Sequence, residues 1–205
     1  IEQPASFRDP LTDKPTIYRR IREAWSGLQW EDFAFASACY YALCSMLDDE
    51  VGRLLALLEE TGQAQDTLVV FTSDHGDYLG AHGLLLKGVA AFEEAYRVPL
   101  LMRGPGVTPG LVIDEPVGLI DVPRTLMRIL LDTDYECQGG DLSARLAGQQ
   151  AAGPGEAFAE FHGQRFGYTQ RVVWSGDWKY VFNGFDEDEL YDLTNDPFEL
   201  RNLAG

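Results

Sequence analysis

Residues 67–102 are the stretch of this sequence that decides its fold, and they are TLVVFTSDHGDYLGAHGLLLKGVAAFEEAYRVPLLM. Two apolar runs, residues 68–71 and 98–102, lie near its ends. They have the length of strands and the β-branched or aromatic residues that strands favour. Neither run alternates polar with apolar residues, so both are predicted to be strands buried on both faces of a sheet. The glycine-rich loop between them carries two of the chain's three histidines.

Asp74 and His75 directly follow the first apolar run. Because α/β proteins bind ligands at the carboxyl ends of parallel strands, these two side chains are predicted to lie at a ligand site. A carboxylate oxygen and an imidazole nitrogen can together bind a divalent cation that polarises a sulfuryl or phosphoryl oxygen. Gly76 lets the backbone turn away from such an ion. The alternative is structural: Asp74 caps a turn and His75 is an ordinary hydrogen-bonded residue.

Lys87 and His82 are the other candidates in this loop. Lys87 lies among apolar residues, a setting that would desolvate its ammonium group without reason unless the group meets an anion. The alternative is a surface lysine, where most lysines lie. His82 either lines the site or packs within the loop, and the sequence favours neither.

Taken in order, the elements of this stretch resemble the sulfatase family of the alkaline phosphatase superfamily. They are an apolar strand, Ser-Asp-His-Gly at 73–76, Leu-Gly-Ala-His-Gly at 79–83, a lysine at 87 and Phe-Glu-Glu-x-x-Arg-Val-Pro-Leu at 92–100. The resemblance implies that Asp74 and His75 bind the metal. It also implies that Lys87 contacts the anionic group and steadies charge on the leaving oxygen. It makes His82 a second catalytic candidate, and we expect Lys87 within a side-chain length of the metal pair.

The same resemblance implies the fold and the cofactors. The expected fold class is α/β, with a mostly parallel sheet flanked by helices, alkaline-phosphatase-like but incomplete, and a small antiparallel subdomain at the carboxyl end. The expected cofactor is a divalent metal, calcium first, with manganese or magnesium as alternatives. A formylglycine nucleophile and an Asp-Asp metal pair are expected in an amino-terminal part that this sequence lacks. Neither Cys39 nor Cys44 lies in the family's nucleophile motif.

The rest of the chain predicts the framework. Apolar residues recur at three- and four-residue steps from 31 to 61, which predicts a long helix that must lie against the sheet. Short strands are predicted at 111–113 and 117–120, and a helix from Val122 to about Leu131 with Asp121 as its N-cap. The runs 157–161, 168–175 and 178–182 predict a small antiparallel sheet. The glycines and proline at 153–155 predict a boundary between residues 1–154, part of the α/β domain, and 155–205, the subdomain.

Composition limits the partners and the class of protein. The 205 residues carry a net charge of −17, which disfavours binding to nucleic acid or to an anionic membrane surface. No apolar run approaches the roughly 20 residues of a membrane-spanning helix. The three cysteines form no metal-ligand pattern and cannot all be paired, which slightly favours a cytoplasmic location.

Three functions remain open at this point. The first is a sulfuric ester hydrolase, of which this segment supplies metal ligands and the leaving-group lysine while being inactive alone. The second is a phosphonate monoester or phosphodiester hydrolase of the same superfamily. The third is a noncatalytic, truncated sulfatase-like domain. The substrate is a small-molecule sulfate, phosphate or phosphonate ester, and the uncovered strands favour self-association or pairing with the absent amino-terminal half.

Overall fold

The computed structural model describes residues 1–151, 153, 155–163, 167–184 and 186–205. The helices are α1 (Thr16–Arg22), α2 (Trp30–Glu60), α3 (Glu93–Tyr96), α4 (Asp121–Leu131) and α5 (Ser143–Leu146), with 3₁₀ turns at Glu23–Trp25 and Ala81–Gly83. The strands are β1 (Val69–Thr72), β2 (Leu100–Arg103), β3 (Glu156–Phe161), β4 (Gln170–Ser175), β5 (Trp178–Asn183) and β6 (Glu189–Asp192).

Strands β1 and β2 are the two apolar runs, and they pair with each other antiparallel, with Val70 opposite Met102. Every strand pair among the described residues is antiparallel, so the parallel pairing expected from the sequence has no example in this part of the chain. The expected burial on both faces is also wrong here, because Leu101 is 64% exposed. The cause is that no described element covers the outer face of this two-stranded sheet.

Helix α2 confirms the long helix predicted from residue 31 to residue 61. Its start is fixed by reciprocal bonds between Gln29 and Asp32, a capping box that satisfies two free backbone amides. Only Phe33 and Ser37 are buried, however, and apolar residues further along the helix, such as Leu43, face solvent. The expectation that the whole apolar stripe lies against the sheet is therefore wrong for this chain. No helix among the described residues has the length and apolar character to cross a bilayer.

The main core lies under the loop between β1 and β2. Tyr78, Leu84 and Phe92 come from that loop and pack against Leu11 and Tyr18 of the amino-terminal segment. The segment before α2 therefore forms part of the core, although its three prolines and its charges predict an irregular surface segment. The candidate loop is therefore anchored in the core by its own apolar residues.

Strands β3 to β6 form one antiparallel sheet in the order β3-β4-β5-β6. This confirms the small carboxyl-terminal sheet, with a tight turn at Gly176 and Asp177 between β4 and β5. The sheet packs on the loop core through Val172, Val181 and Ala91. The domain division at residue 154 stays a prediction, and Pro154 itself lies outside the described residues.

The segment between β2 and α4 contains no strand, so the strands predicted at 111–113 and 117–120 are wrong. Val112 is 75% exposed, and no strand of the described part of the chain pairs with it. Helix α4 begins at Asp121, one residue before the predicted start, so Asp121 is its first residue and Ile120 is its N-cap. The Asp121 carboxylate accepts hydrogen bonds from the amides of Gly118 (2.8 Å) and Gly140 (2.6 Å). Asp121 therefore fixes two turns of the chain through these hydrogen bonds.

Candidate active site

Asp74 and His75 lie at the carboxyl end of β1, as the sequence predicts. The local backbone is held by two short-range bonds: the Ser73 hydroxyl donates to the His75 carbonyl at 2.8 Å, and the His75 amide donates to Asp74 Oδ1 at 3.0 Å. The Asp74 side chain is 85% exposed and that of His75 is 41% exposed. Both groups are therefore open to an ion or a ligand from solvent.

The His75 ring is fixed by a hydrogen bond between one of its nitrogens and a backbone carbonyl. Its Nδ1 lies 2.8 Å from the Gly76 carbonyl oxygen, which can only accept, so Nδ1 carries the proton in the neutral ring. That leaves the Nε2 lone pair free, and Nε2 lies 3.6 Å from Asp74 Oδ2. Two donor atoms at this separation can both lie within about 2.3–2.6 Å of one cation. A bond from the second ring nitrogen to a carbonyl is the usual way a ligating histidine is fixed.

These two residues fit a divalent metal only as part of its ligand set. Among the described residues no group of three or more histidine, cysteine, aspartate or glutamate side chains is placed to hold a metal ion. Hard cations prefer about six donors. The chain therefore presents two suitable donors and leaves the remaining positions to water, substrate or other residues.

Gly76 is held against α3. Its amide donates to the Ala95 carbonyl at 2.9 Å, and a Cβ at this position would overlap the carbonyl oxygen of Glu94. The reason for glycine is thus the close approach of α3, a feature that the sequence does not reveal. The loop bearing Asp74 and His75 is therefore attached directly to α3.

We expect Gly76→Ala to displace this loop from α3. The overlap is with backbone, which cannot swing aside, so we expect a loss of about 1–3 kcal/mol in the free energy of unfolding. Gly88→Ala is the matched control, because a Cβ there meets nothing within 4 Å. Thermal unfolding of both variants is the measurement, and equal midpoints would contradict the observed approach of α3 to the loop.

Asp77 brings the Lys87 segment back to the β1 loop. Asp77 Oδ1 accepts from the Leu86 amide and from the Leu79 amide, each at 3.0 Å, and the Tyr78 amide donates to the Leu86 carbonyl at 2.9 Å. Lys87 is the residue after Leu86, so its backbone is fixed close to the segment that follows His75. The sequence predicts no role for Asp77, although an aspartate that accepts a hydrogen bond from the amide two residues on is a known turn former.

Lys87 itself is exposed to solvent. Contrary to the prediction, its apolar neighbours do not desolvate it, because Leu84 and Val89 lie in the core while Lys87 lies at the surface. A catalytic role for Lys87 stays a prediction. Its exposure leaves the ammonium group free to meet an anion.

His82 is fully buried. Its Nδ1 lies 2.7 Å from Asp9 Oδ2, and its ring stacks on Phe92 with centroids 3.5 Å apart. Burial opposes ionisation of Asp9, but the bonds from His82 and the Leu11 amide and the charge of Lys14, 3.2 Å away, outweigh it and lower the pKa of Asp9. The geometry favours the second of the two alternatives for His82, packing within the loop. Its catalytic role remains a prediction without support from its position.

A buried ionic cluster lies on the other side of α3; we call it the Lys179 cluster, formed by Lys179, Glu93, Glu199 and Trp174. Lys179 Nζ lies 3.1 Å from Glu93 Oε1 and 2.6 Å from Glu199 Oε1. The Trp174 indole donates to Glu93 Oε1 at 2.7 Å. Burial is the largest effect on Glu199 and, together with the negative charge of Glu93, raises its pKa to about 7, although the positive charge of Lys179 acts in the opposite direction.

The raised pKa of Glu199 predicts a pH-dependent stability. The folded state holds a proton on Glu199 more tightly than the unfolded state does. Protonation of Glu199 therefore stabilises the folded state fully below the ordinary glutamate pKa of 4.5, and this stabilisation is lost as the pH rises to about 7. The loss is about 3 kcal/mol, equivalent to a shift of about 6–12 °C in the melting midpoint.

The measurement is the melting midpoint from pH 4.5 to pH 8 for the wild type, for Glu199→Gln and for the exposed control Glu60→Gln. We expect the wild type and the control to lose stability, relative to Glu199→Gln, as the pH rises across this range. Parallel profiles for all three proteins would contradict the prediction.

Comparison with known proteins gives the family. The sulfatase family model matches residues 4–132 of the 205-residue chain, which is more than half of it. This chain belongs to the sulfatase family. A second family model, N-sulphoglucosamine sulphohydrolase, C-terminal, matches residues 80–205 of this chain. The resemblance seen in residues 67–102 is thereby confirmed.

Curated relatives agree with this membership. The chain is 37% identical to a choline-sulfatase of Rhizobium meliloti (strain 1021) over 169 residues, which are 80% of this chain and 32% of the relative. It is 33% identical to arylsulfatase K of Xenopus laevis over 180 residues, which are 82% of this chain and 33% of the relative. The chain thus spans about a third of the length of these two relatives.

Solved structures confirm the fold class, alkaline-phosphatase-like α/β. A 2-O GAG sulfatase superposes with a TM-score of 0.89 at 24% identity, over 100% of this chain and 47% of the other. A phosphonate monoester hydrolase of Agrobacterium radiobacter superposes with a TM-score of 0.76 at 30% identity, over 86% of this chain and 38% of the other. The chain therefore has the fold of under half of each of these proteins.

Proposed function

We propose that this sulfatase-family chain forms part of the active site of a sulfuric ester hydrolase, in which Asp74 and His75 bind a divalent metal and Lys87 faces the ester. The observation that carries the proposal is the free His75 Nε2 lone pair, which faces Asp74 Oδ2 across 3.6 Å at the exposed end of β1. Family membership supplies the reaction class.

Each residue has a separate task in this proposal. A bound divalent metal, calcium first and manganese or magnesium as alternatives, supplies Lewis-acid neutralisation of the anionic sulfuryl oxygens. The negative charge of Asp74 partly neutralises the ion and holds it in position. The Gly76 carbonyl oxygen fixes the His75 ring, which binds the same ion. The exposed Lys87 offers a positive charge and a proton donor to the departing alcohol oxygen.

The proposed active site also needs groups that Asp74, His75 and Lys87 do not supply. Within the family, the expected nucleophile is a formylglycine, and no residue of this chain is proposed for that role. His82 acts in the proposal only as a packing residue, since it is buried against Phe92 and Asp9. The segment alone is therefore proposed to be inactive.

A second candidate function is hydrolysis of phosphonate monoesters or phosphodiesters. It is favoured by one observation, the 30% identity to the Agrobacterium radiobacter phosphonate monoester hydrolase over most of this chain. Sulfate esters and phosphonate monoesters both present a tetrahedral anionic group to the metal and the lysine. Two metal ligands and one lysine do not by themselves discriminate between them. A noncatalytic, truncated product is the third candidate, because the chain spans about a third of its curated relatives.

The test is a substrate comparison with the natural full-length protein. An aryl sulfate, an aryl phosphonate monoester and a bis-aryl phosphodiester are assayed in the presence of calcium, manganese or magnesium. We expect the highest kcat/KM for the sulfate and no turnover by the 205-residue segment. A higher kcat/KM for the phosphonate ester would favour the second candidate, and absence of turnover of all three by the full-length protein would favour the third.

A further inference from the structure

Helix α3 is a single turn of four residues, Glu93–Tyr96, between the β1 loop and the carboxyl-terminal sheet. A helix this short has no stability of its own, because its few internal bonds do not repay the entropy of forming the first turn. Its position is therefore set by the groups on its two sides. Each side makes specific polar contacts with it.

On one side α3 holds the candidate metal loop. The Ala95 carbonyl accepts the Gly76 amide at 2.9 Å, and the Glu94 carbonyl lies where a Cβ of Gly76 would be. Gly76 in turn holds the His75 ring through its carbonyl oxygen. A displacement of α3 along its axis would carry Gly76 with it and reorient the His75 Nε2.

On the other side α3 is held by the Lys179 cluster. Glu199 Oε2 accepts the Glu93 backbone amide at 2.7 Å, while Glu199 Oε1 and the Glu93 carboxylate share the Lys179 ammonium. Both the main chain and the side chain of Glu93 are thereby fixed by groups of the carboxyl-terminal region. Lys179 and Glu199 are 0% and 1% exposed as side chains, so water does not compete for these bonds.

We propose that Lys179 and Glu93 are positioning residues for the metal loop: the carboxyl-terminal sheet, acting through the Lys179 cluster, fixes α3 against Gly76 and so sets the orientation of His75 beside Asp74. The catalytic consequence rests on the proposed function, whereas the mechanical coupling from Lys179 to Gly76 does not. Stability alone is a weak reason for such a cluster, since apolar residues of similar volume often stabilise a core as well as a buried ion pair does.

The first experiment measures the coupling without metal. Hydrogen exchange of the Gly76 amide is followed in the metal-free full-length protein for the wild type, Lys179→Met and Glu93→Ala. The bond from this amide to Ala95 protects it only while α3 is in place, so we expect protection to fall by at least about tenfold in both variants. Glu93 is 19% exposed as a side chain, so Glu93→Ala provides a second route if Lys179→Met does not fold.

Two further variants separate positioning from general destabilisation. Glu93→Gln keeps an oxygen that can accept from both Trp174 and Lys179, so we expect it to restore wild-type protection. Tyr191→Phe removes a buried bond to Glu189 in the same sheet without touching α3, so we expect lower stability with unchanged Gly76 exchange. Thermal unfolding is recorded for each variant, and exchange is measured well below every melting midpoint.

The second experiment measures calcium affinity by calorimetry for the same variants. We expect a fall of about 10–100-fold in Lys179→Met and Glu93→Ala, and no change in Glu93→Gln or Tyr191→Phe. Unchanged Gly76 protection in folded Lys179→Met and Glu93→Ala would overturn the coupling. Lost protection with unchanged calcium affinity would overturn the positioning role. If the two variants lose Gly76 protection but the wild-type protein binds no calcium, the coupling stands and the result counts against the proposed function.

Discussion

Replacing Asp74 by alanine is expected to lower kcat/KM for an aryl sulfate by at least about a hundredfold in the natural full-length protein. The reason is loss of a charged ligand from a metal that neutralises the sulfuryl oxygens. The same change should leave the fold intact. Asp74 is 85% exposed as a side chain, and its bonds are to its neighbour His75 alone among the described residues, so its removal should cost less than about 0.5 kcal/mol of stability.

Asp66→Ala is the control for this prediction. Asp66 lies shortly before β1, is exposed, and makes no side-chain bond recorded among the described residues. We expect wild-type activity and an unchanged melting midpoint for it. Steady-state kinetics and thermal unfolding of the two variants are compared with the wild type. An Asp74→Ala protein with full metal-dependent activity would show that Asp74 is not a ligand.

The isolated 205-residue chain is expected to associate or to precipitate. Helix α2 exposes a run of apolar side chains, among them Phe35, Leu43, Met46, Leu47, Leu54 and Leu57. Monomeric soluble proteins rarely expose contiguous apolar patches larger than a few hundred Å². Strands β1 and β2 add two open edges, since among the described residues each pairs only with the other. Sedimentation velocity over a concentration series is the measurement, and we expect the mean mass to rise with concentration.

A triple variant tests whether the α2 surface is responsible. Leu43→Gln, Leu47→Gln and Leu54→Gln together remove apolar side chains that are all more than half exposed, so they cost the isolated chain little packing. We expect weaker association of the isolated chain. A wild-type segment that stays monomeric at all concentrations and unfolds cooperatively would show that these faces need no cover.

Local patterns in the sequence were sufficient for much of the fold. The three- and four-residue apolar step predicted α2, Asp121 predicted the start of α4 to within one residue, and the runs 157–161, 168–175 and 178–182 predicted the carboxyl-terminal sheet. The position of Asp74 and His75 at the end of β1 was also predictable, because a strand-forming run ends immediately before them. Each of these features is decided by residues close together in the chain.

Features that depend on distant residues could not be predicted. The antiparallel pairing of β1 with β2 depends on the path of the 27-residue loop between them, and the spacing of apolar residues does not specify that path. The lysine partner of Glu93 is 86 residues away in the chain, and no local pattern specifies that contact. The burial of His82 follows from a bond to Asp9, 73 residues earlier, and the identity of neither residue points to the other.

Calcium binding to the full-length protein, measured by calorimetry, tests the central claim most directly. We expect about one ion per chain in the wild type and at least about a hundredfold weaker binding in the double variant Asp74→Ala/His75→Ala. Both side chains are partly or largely exposed, so the double variant should remain folded and a loss of binding can be assigned to the lost ligands. Equal calcium affinity in the wild type and the double variant would contradict the assignment of Asp74 and His75 as the metal pair.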